Sequence, residues 1–128
     1  MAEISYDVLG IGNAIVDVLA PAEDAFLKEY GMVKGSMALI DAQKAEELYA
    51  AMGSGTEASG GSAANTVAGV AALGGRACFI GKVRDDQLGR TFSHDIRNIG
   101  VDFPSAPAAG GAPTARCLIA VTPDAMRT

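Results

Sequence analysis

The chain has 128 residues, a formal net charge of −5, and 49% hydrophobic against 20% charged residues, which suits one domain able to bury about two thirds of its unfolded surface. The acidic balance, with ten basic residues that form no run, excludes an electrostatic nucleic-acid surface as a partner. Cys78 and Cys117 form no CxxC pair and have no clustered histidine, so a zinc site and a disulfide scaffold are excluded and two buried free thiols are expected.

The N-terminus has neither the basic flank nor the apolar core of a secretory signal, and no uncharged apolar stretch reaches the ~18 residues of a membrane span. A cytoplasmic setting without a membrane partner is expected. Residues 8–11 read as a short buried strand closed by Gly12 and Asn13, and 15–19 as a second extended piece. Residues 21–30 read as a helix that ends at Gly31, and 36–40 as a short strand. Asp41 caps a helix to about Met52, with Ala45, Leu48 and Met52 as its apolar stripe. Residues 56–59 are extended, and Ser62, as N-cap, opens an alanine-rich helix over 62–73. A buried strand over 77–83 follows, then a helix from an Asp86 cap to Ile99, closed by Gly100. A Pro/Ala/Gly-rich loop over 103–113 leads to a strand over 114–121. Residues 123–128 signal a turn with no partner strand after it, which leaves an unpaired edge. Alternating strands and helices predict an α/β fold with a mainly parallel sheet; the strands at 36–40 and 56–59 are too short and polar for its centre and predict a small separate β-layer.

The segment Gly60-Gly61-Ser62-Ala63-Ala64-Asn65 is the most informative local feature. Glycine lets the backbone take positive φ and lets a ligand approach it. The helix that follows has unpaired N–H groups in its first turn, and the Asn65 amide can donate and accept toward a vicinal diol. The competing reading is a Gly-rich turn before a helix whose Ala63, Ala64, Ala68, Gly69, Ala71 and Ala72 serve close packing only. Gly10-Ile11-Gly12-Asn13-Ala14-Ile15 begins like a dinucleotide fingerprint but has Ile15 at the third glycine position, and a β-branched segment follows, which argues against a Rossmann site. Asp17 interrupts the apolar run from Ala14 to Leu19, so its carboxylate needs solvent, a salt bridge or ligand hydroxyls. From 81 to 89 a structural account suffices: Asp86 caps, Asp85 complements the helix dipole and Gly89 permits close packing. His94 sits on a solvated helix face, and Arg127 reads either as a phosphate contact or as simply exposed.

In order, Gly12-Asn13-Ala14-Ile15-Val16-Asp17, the Gly60 to Asn65 segment, Leu73-Gly74-Gly75 and Gly81 through Gly89 resemble the N-terminal part of PfkB-type carbohydrate kinases of the ribokinase family. With the segment Gly35 to Ile40 and Thr114-Ala115-Arg116-Cys117 leading to Arg127, the chain is most similar to the adenosine-kinase-like branch. The resemblance implies a ribokinase-like α/β fold, a mainly parallel sheet flanked by helices, with a small β-lid from 14–19, 36–40, 56–59 and 114–121. It implies transfer of the ATP γ-phosphate to a hydroxymethyl group of a sugar or nucleoside, with Mg²⁺. The implied acceptor-binding residues are Asn13, Asp17, Gly60, Gly61, Ser62 and Asn65, with Arg127 reaching toward the phosphate. Met37, Leu39 and Phe26 are either apolar surface for a purine or ordinary packing.

Two departures stand out. Position 84 is Arg where many members have Gly, which leaves the backbone of that corner open. The family's Gly-Ala-Gly-Asp motif with its catalytic Asp has no equivalent and is expected beyond Thr128; the chain then reads as an incomplete N-terminal part, inactive alone, with no metal ligands of its own. A homodimer through the lid strands is the expected assembly. The alternative function is a non-catalytic sugar-binding or lid-mediated pairing module.

Overall fold

A computed structural model describes residues 3–128. The elements run β1 (Val8–Ile11), β2 (Ile15–Pro21), α1 (Asp24–Glu29), α2 (Ala42–Ala51), β3 (Thr56–Gly60), α3 (Ser62–Ala72), β4 (Ala77–Ile80), α4 (Gln87–Ile99) and β5 (Ala115–Val121). They divide into two compact units, one of residues up to Val16 with Ala58–Arg116, the other of Asp17–Glu57 with Cys117–Thr128.

In the first unit β1 and β4 are parallel, in register from Val8↔Ala77 to Ile11↔Ile80, and Asp102 extends this pairing as a parallel bridge to Cys78. Helix α3 packs on both strands. The approach depends on the glycines of β1: a Cβ at Gly10 would lie 2.6 Å from a Val67 methyl carbon, and one at Gly12 would lie 2.8 Å from Ala63 Cβ. The core is aromatic, with Phe79 from β4, Phe92 from α4 and Phe103 from the following loop all buried and ring centroids 5.4 to 5.9 Å apart, the spacing of favourable aromatic pairs. Leu88, Phe92 and Ile96 give α4 its buried stripe.

Asp86 starts α4. One carboxylate oxygen accepts from the Gly89 N–H (2.8 Å) and the Thr114 hydroxyl (2.7 Å), the other from the Thr114 N–H (2.9 Å). Burial alone would raise this carboxyl; the Thr114 and Gly89 donors overcome it and hold the group below its ordinary value. One side chain thus caps a helix and anchors the entry to β5.

In the second unit β2 lies between β3 and β5 in a three-stranded sheet, and the division of the chain passes through all three strands. Val16, Val18 and Ala20 point to the buried face of β2 while Ile15, Asp17 and Leu19 are half-buried on the other, the period-two alternation of a strand. Asp41 caps α2 by accepting from the Lys44 N–H, and Ala45 and Leu48 are its buried positions.

Six expectations need correction. Residues 8–11 do form a strand, but Val8, Leu9 and Ile11 are exposed on it rather than buried. Residues 36–40 form no strand: Ser36 turns back, its N–H and hydroxyl both donating to the Val33 carbonyl, and the segment is exposed without a ladder partner. Helix α1 begins at Asp24 because β2 runs on through Pro21. Strand β4 ends at Ile80, three residues early. Cys117 is exposed, on the same face of β5 as exposed Ala115, whereas Cys78 is buried. The end of the chain does pair: it turns at Pro123 and Asp124, Arg127 bridges Val121 antiparallel, and Ala120 and Thr128 exchange both backbone hydrogen bonds. Arg84, by contrast, fits its corner without a left-handed backbone, since Ala125 is the one non-glycine residue with positive φ among the described residues.

Candidate functional site

Strand β3 ends at buried Gly60, and Gly61 occupies the N-cap of α3 at φ 95°, ψ 140°, a region that residues with a Cβ essentially never adopt. Ser62 is therefore the first helical residue and not the N-cap. No side chain caps α3, and its first intrahelical bond runs from the Asn65 N–H to the Gly61 carbonyl at 2.8 Å. The N–H groups of Ser62, Ala63 and Ala64 thus open the helix with the positive end of its dipole behind them.

The two motifs converge at Gly61, where a Cβ would stand 2.7 Å from the Asn13 carbonyl oxygen. Asn13, Ser62 and Asn65 are exposed there, so their polar groups are presented to solvent. The structure thus brings Asn13, Gly60, Gly61, Ser62 and Asn65 together within the first unit. Close packing explains only part of the alanine-rich helix: Ala64 and Val67 are buried, while a Cβ at Gly69 would meet nothing within 4 Å.

Asp17 and Arg127 belong to the second unit. Asp17 is half-buried on β2, and within that unit its carboxylate takes part in no ion pair. The neighbouring Cys117 thiol is pushed up by desolvation and then by the Asp17 charge. Arg127 is exposed on a turn that is tightly held: Lys34 bridges Asp124 at 2.6 Å and Asp24 at 2.8 Å, the Thr122 hydroxyl donates to Asp124, and the Gly35 N–H donates to the Thr128 hydroxyl at 2.9 Å. The Lys34 ammonium, then Thr122, bring the Asp124 carboxyl down to about 2.

Met37 and Leu39 are 79% and 93% exposed, so neither packs into the core that these residues form. Phe26 instead pairs with Tyr30, centroids 4.7 Å apart. The sequence marked Gly12 and Thr114 as motif residues but not their roles, Gly12 letting α3 reach β1 and Thr114 partnering Asp86, and it did not mark Lys34, which holds the turn before Arg127. Apart from the Lys34–Asp24 pair, their partners lie 28 to 90 positions away in sequence, and no local pattern signals such pairings.

A parallel strand pair with flanking helices, and an uncapped helix N-terminus at Gly61 beside Asn13, define an α/β fold of the ribokinase-like kind. The sequence matches the pfkB family carbohydrate kinase over residues 29–128, and the chain belongs to that family. It is similar to the crystal structure of adenosine kinase from Sinorhizobium meliloti, at 58% identity and a TM-score of 0.82, over 97% of this chain and 38% of that one. It is also similar to the probable sugar kinase protein from Rhizobium etli CFN 42, at 52% identity and a TM-score of 0.83, over 96% of this chain and 37% of that one. Fructokinase-1 of Oryza sativa subsp. japonica is 39% identical over 71 residues, which are 56% of this chain and 22% of the fructokinase. The chain thus spans well under half the length of these relatives. No helix among the described residues is long and apolar enough to cross a membrane.

Proposed function

We propose that these residues are part of a longer kinase that transfers the γ-phosphate of ATP to a hydroxymethyl group of a sugar or nucleoside, and that this part holds the acceptor. The observation that carries the reading is the uncapped start of α3 at Gly61, against Asn13. Backbone N–H groups and two exposed amides suit a polyhydroxylated ligand, because each amide can both donate to and accept from a hydroxyl.

In this reading Asn13 and Asn65 hydrogen-bond acceptor hydroxyls, and Gly60, Gly61 and Ser62 bring backbone donors to the ligand. Asp17 accepts from a hydroxyl with its carboxylate, a charge-assisted bond that holds the acceptor in one orientation. Arg127 contacts an anionic oxygen of the transferring group. The β3-β2-β5 sheet serves as a lid whose closure excludes water, so that hydrolysis does not compete with transfer. ATP supplies the phosphoryl group when bound. Mg²⁺ would be held chiefly by the phosphates of bound ATP; among the described residues no three His, Cys, Asp or Glu side chains gather as a metal-ligand set, and no step assigned to these residues passes through the ion. The isolated 128 residues are expected to bind acceptor without turnover. Pairing of two copies through the lid would use β3, because the end of the chain occupies the outer edge of β5 at Val121.

Adenosine is favoured as acceptor. The adenosine kinase similarity is both higher and wider than the fructokinase one, and exposed Met37 and Leu39 supply apolar surface for a base. A phosphorylation assay of the full-length protein with ATP and adenosine, ribose or fructose tests this. Adenosine is expected to have the highest kcat/KM; transfer to none of the three overturns the kinase reading, and preference for fructose overturns the nucleoside assignment.

A further inference from the structure

The outward side of α4 carries an open groove of about 520 Å³, lined among others by Arg84, Asp85, Arg90, Ser93, His94 and Arg97. Arg90, Ser93, His94 and Arg97 stand at i, i+3, i+4 and i+7, which places them along a single helix face. Arg84 enters from the corner before the helix. Three guanidinium groups against one carboxylate make this a cationic surface on a chain whose net charge is −5. None of Asn13, Gly60, Gly61, Ser62 and Asn65 lines it.

The three arginines differ in how they are held. Arg97 is fixed: one N–H donates to the Phe103 carbonyl at 2.8 Å and the guanidinium lies over the Phe103 ring, which orients its remaining donors. Arg90 bridges Asp85 at 2.8 Å, with both side chains about two-thirds exposed, a pairing weak enough to be shared with an incoming anion. Among the described residues of the first unit Arg84 makes no ion pair within 4.0 Å, and its charge acts at longer range on Asp86. Its neighbour Asp86 has both carboxylate oxygens engaged by Thr114 and Gly89. His94 is 78% exposed in its side chain and stands 3.5 Å from Asp95, and Ser93 donates to the Gly89 carbonyl while keeping its lone pairs.

Guanidinium forks match phosphate oxygens in pairs of parallel hydrogen bonds, and the volume lies within the range of small-molecule sites. We propose that this groove binds a phosphate-bearing small anion, with Arg84 and Arg90 on the phosphate and Arg97 as the fixed donor at its far end. The chemistry is shared by free phosphate and by phosphate monoesters. The proposal is independent of the acceptor reading, because it uses none of the same residues.

Titration calorimetry of the full-length protein, in buffer without phosphate or sulfate, with glycerol 3-phosphate and separately with inorganic phosphate tests it. The wild type is expected to bind, and the R84G/R90Q variant to bind at least about tenfold more weakly, a difference of about 1.4 kcal/mol. Tighter binding of the ester identifies a monoester site, and equal binding a free-phosphate site. The hydrogen bonds between Arg84 and Thr114 run through the Arg84 backbone, and Arg90 is an exposed partner, so the fold should tolerate both changes. Should the variant fail to fold, the arginine Nε resonances of the wild type take its place: those of Arg84 and Arg90 are expected to move on adding either ligand. Unaltered affinity in the variant, unmoved resonances, or binding of an oligonucleotide but neither small anion overturns the proposal.

Discussion

Gly61 and Asn13 meet so closely that a single methyl group on Gly61 would stand 2.7 Å from the Asn13 carbonyl oxygen. The backbone of Gly61, at φ 95°, already excludes other residues on conformational grounds, so contact and strain act together. Gly61→Ala is expected to destabilise the protein by about 1–3 kcal/mol and to raise KM for the acceptor, as read by urea unfolding and by kinetics. Gly69, in the interior of the same helix with open space where its Cβ would stand, is expected to behave oppositely: Gly69→Ala should stabilise by about 0.5–1 kcal/mol. Equal effects of the two substitutions would contradict the assigned conformation of Gly61.

Asp86 makes a second prediction, with a pH signature. Its folded carboxyl lies below its ordinary value despite burial, because Thr114 and Gly89 donate to the ionised form. The stabilisation is therefore present above the unfolded value of about 3.9 and is lost as the pH falls through the depressed folded value. Asp86→Asn replaces one acceptor by an NH₂ group, leaving a donor against the Thr114 N–H or hydroxyl. A loss of about 1–2 kcal/mol at pH 7 is expected from the impaired cap. Below pH 4 the gap between variant and wild type should narrow, measured by denaturant unfolding at both pH values.

The legibility of this fold in its sequence follows the range of each interaction. Caps and stops are local, so Asp41, Asp86, Gly31 and Gly100 could be read directly, and α2 and α4 start at the expected positions. The aromatic core could not be read: Phe79, Phe92 and Phe103 come from a strand, a helix and a loop, and no periodicity links them. The segment 36–40 misled because its apolar residues have strand-like composition, yet a strand also needs a neighbour to pair with, and Ser36 bonds back to Val33 instead. At the candidate site the glycine–asparagine segment was visible as a motif. Its contact with Asn13 is a tertiary fact, as is the replacement of Ser62 by Gly61 at the helix cap.

The turn that carries Arg127 supplies a third prediction. Lys34, then Thr122, hold the Asp124 carboxyl at about 2, and the same lysine is raised by Asp124 and Asp24. Because Asp124 is depressed in the folded state, its contribution is complete above about pH 4 and disappears as the pH falls toward 2. A carbon-detected titration of the aspartate side chains should find the Asp124 midpoint near 2 in the wild type, and Lys34→Met should return it toward the ordinary carboxylate range. An unchanged midpoint in the variant would show that Lys34 is not the cause.

Asp17 gives the most direct test of the acceptor reading. A half-buried carboxylate in a strand, between buried Val16 and Val18 and with no ion pair in its unit, is costly to keep for structure alone. Its removal should therefore not destabilise the fold greatly, while the loss of a charge-assisted hydrogen bond of about 1.5–3 kcal/mol should lower kcat/KM for the acceptor about ten- to hundredfold. Asp17→Ala in the full-length protein, assayed with varied acceptor at saturating ATP, measures this, and a melting curve of the same variant separates it from unfolding. Asn65→Ala should be milder, because a neutral amide bond contributes less than a charged one. If Asp17→Ala leaves kcat/KM unchanged, the carboxylate does not bind the acceptor; if it lowers stability and activity together, its role is structural.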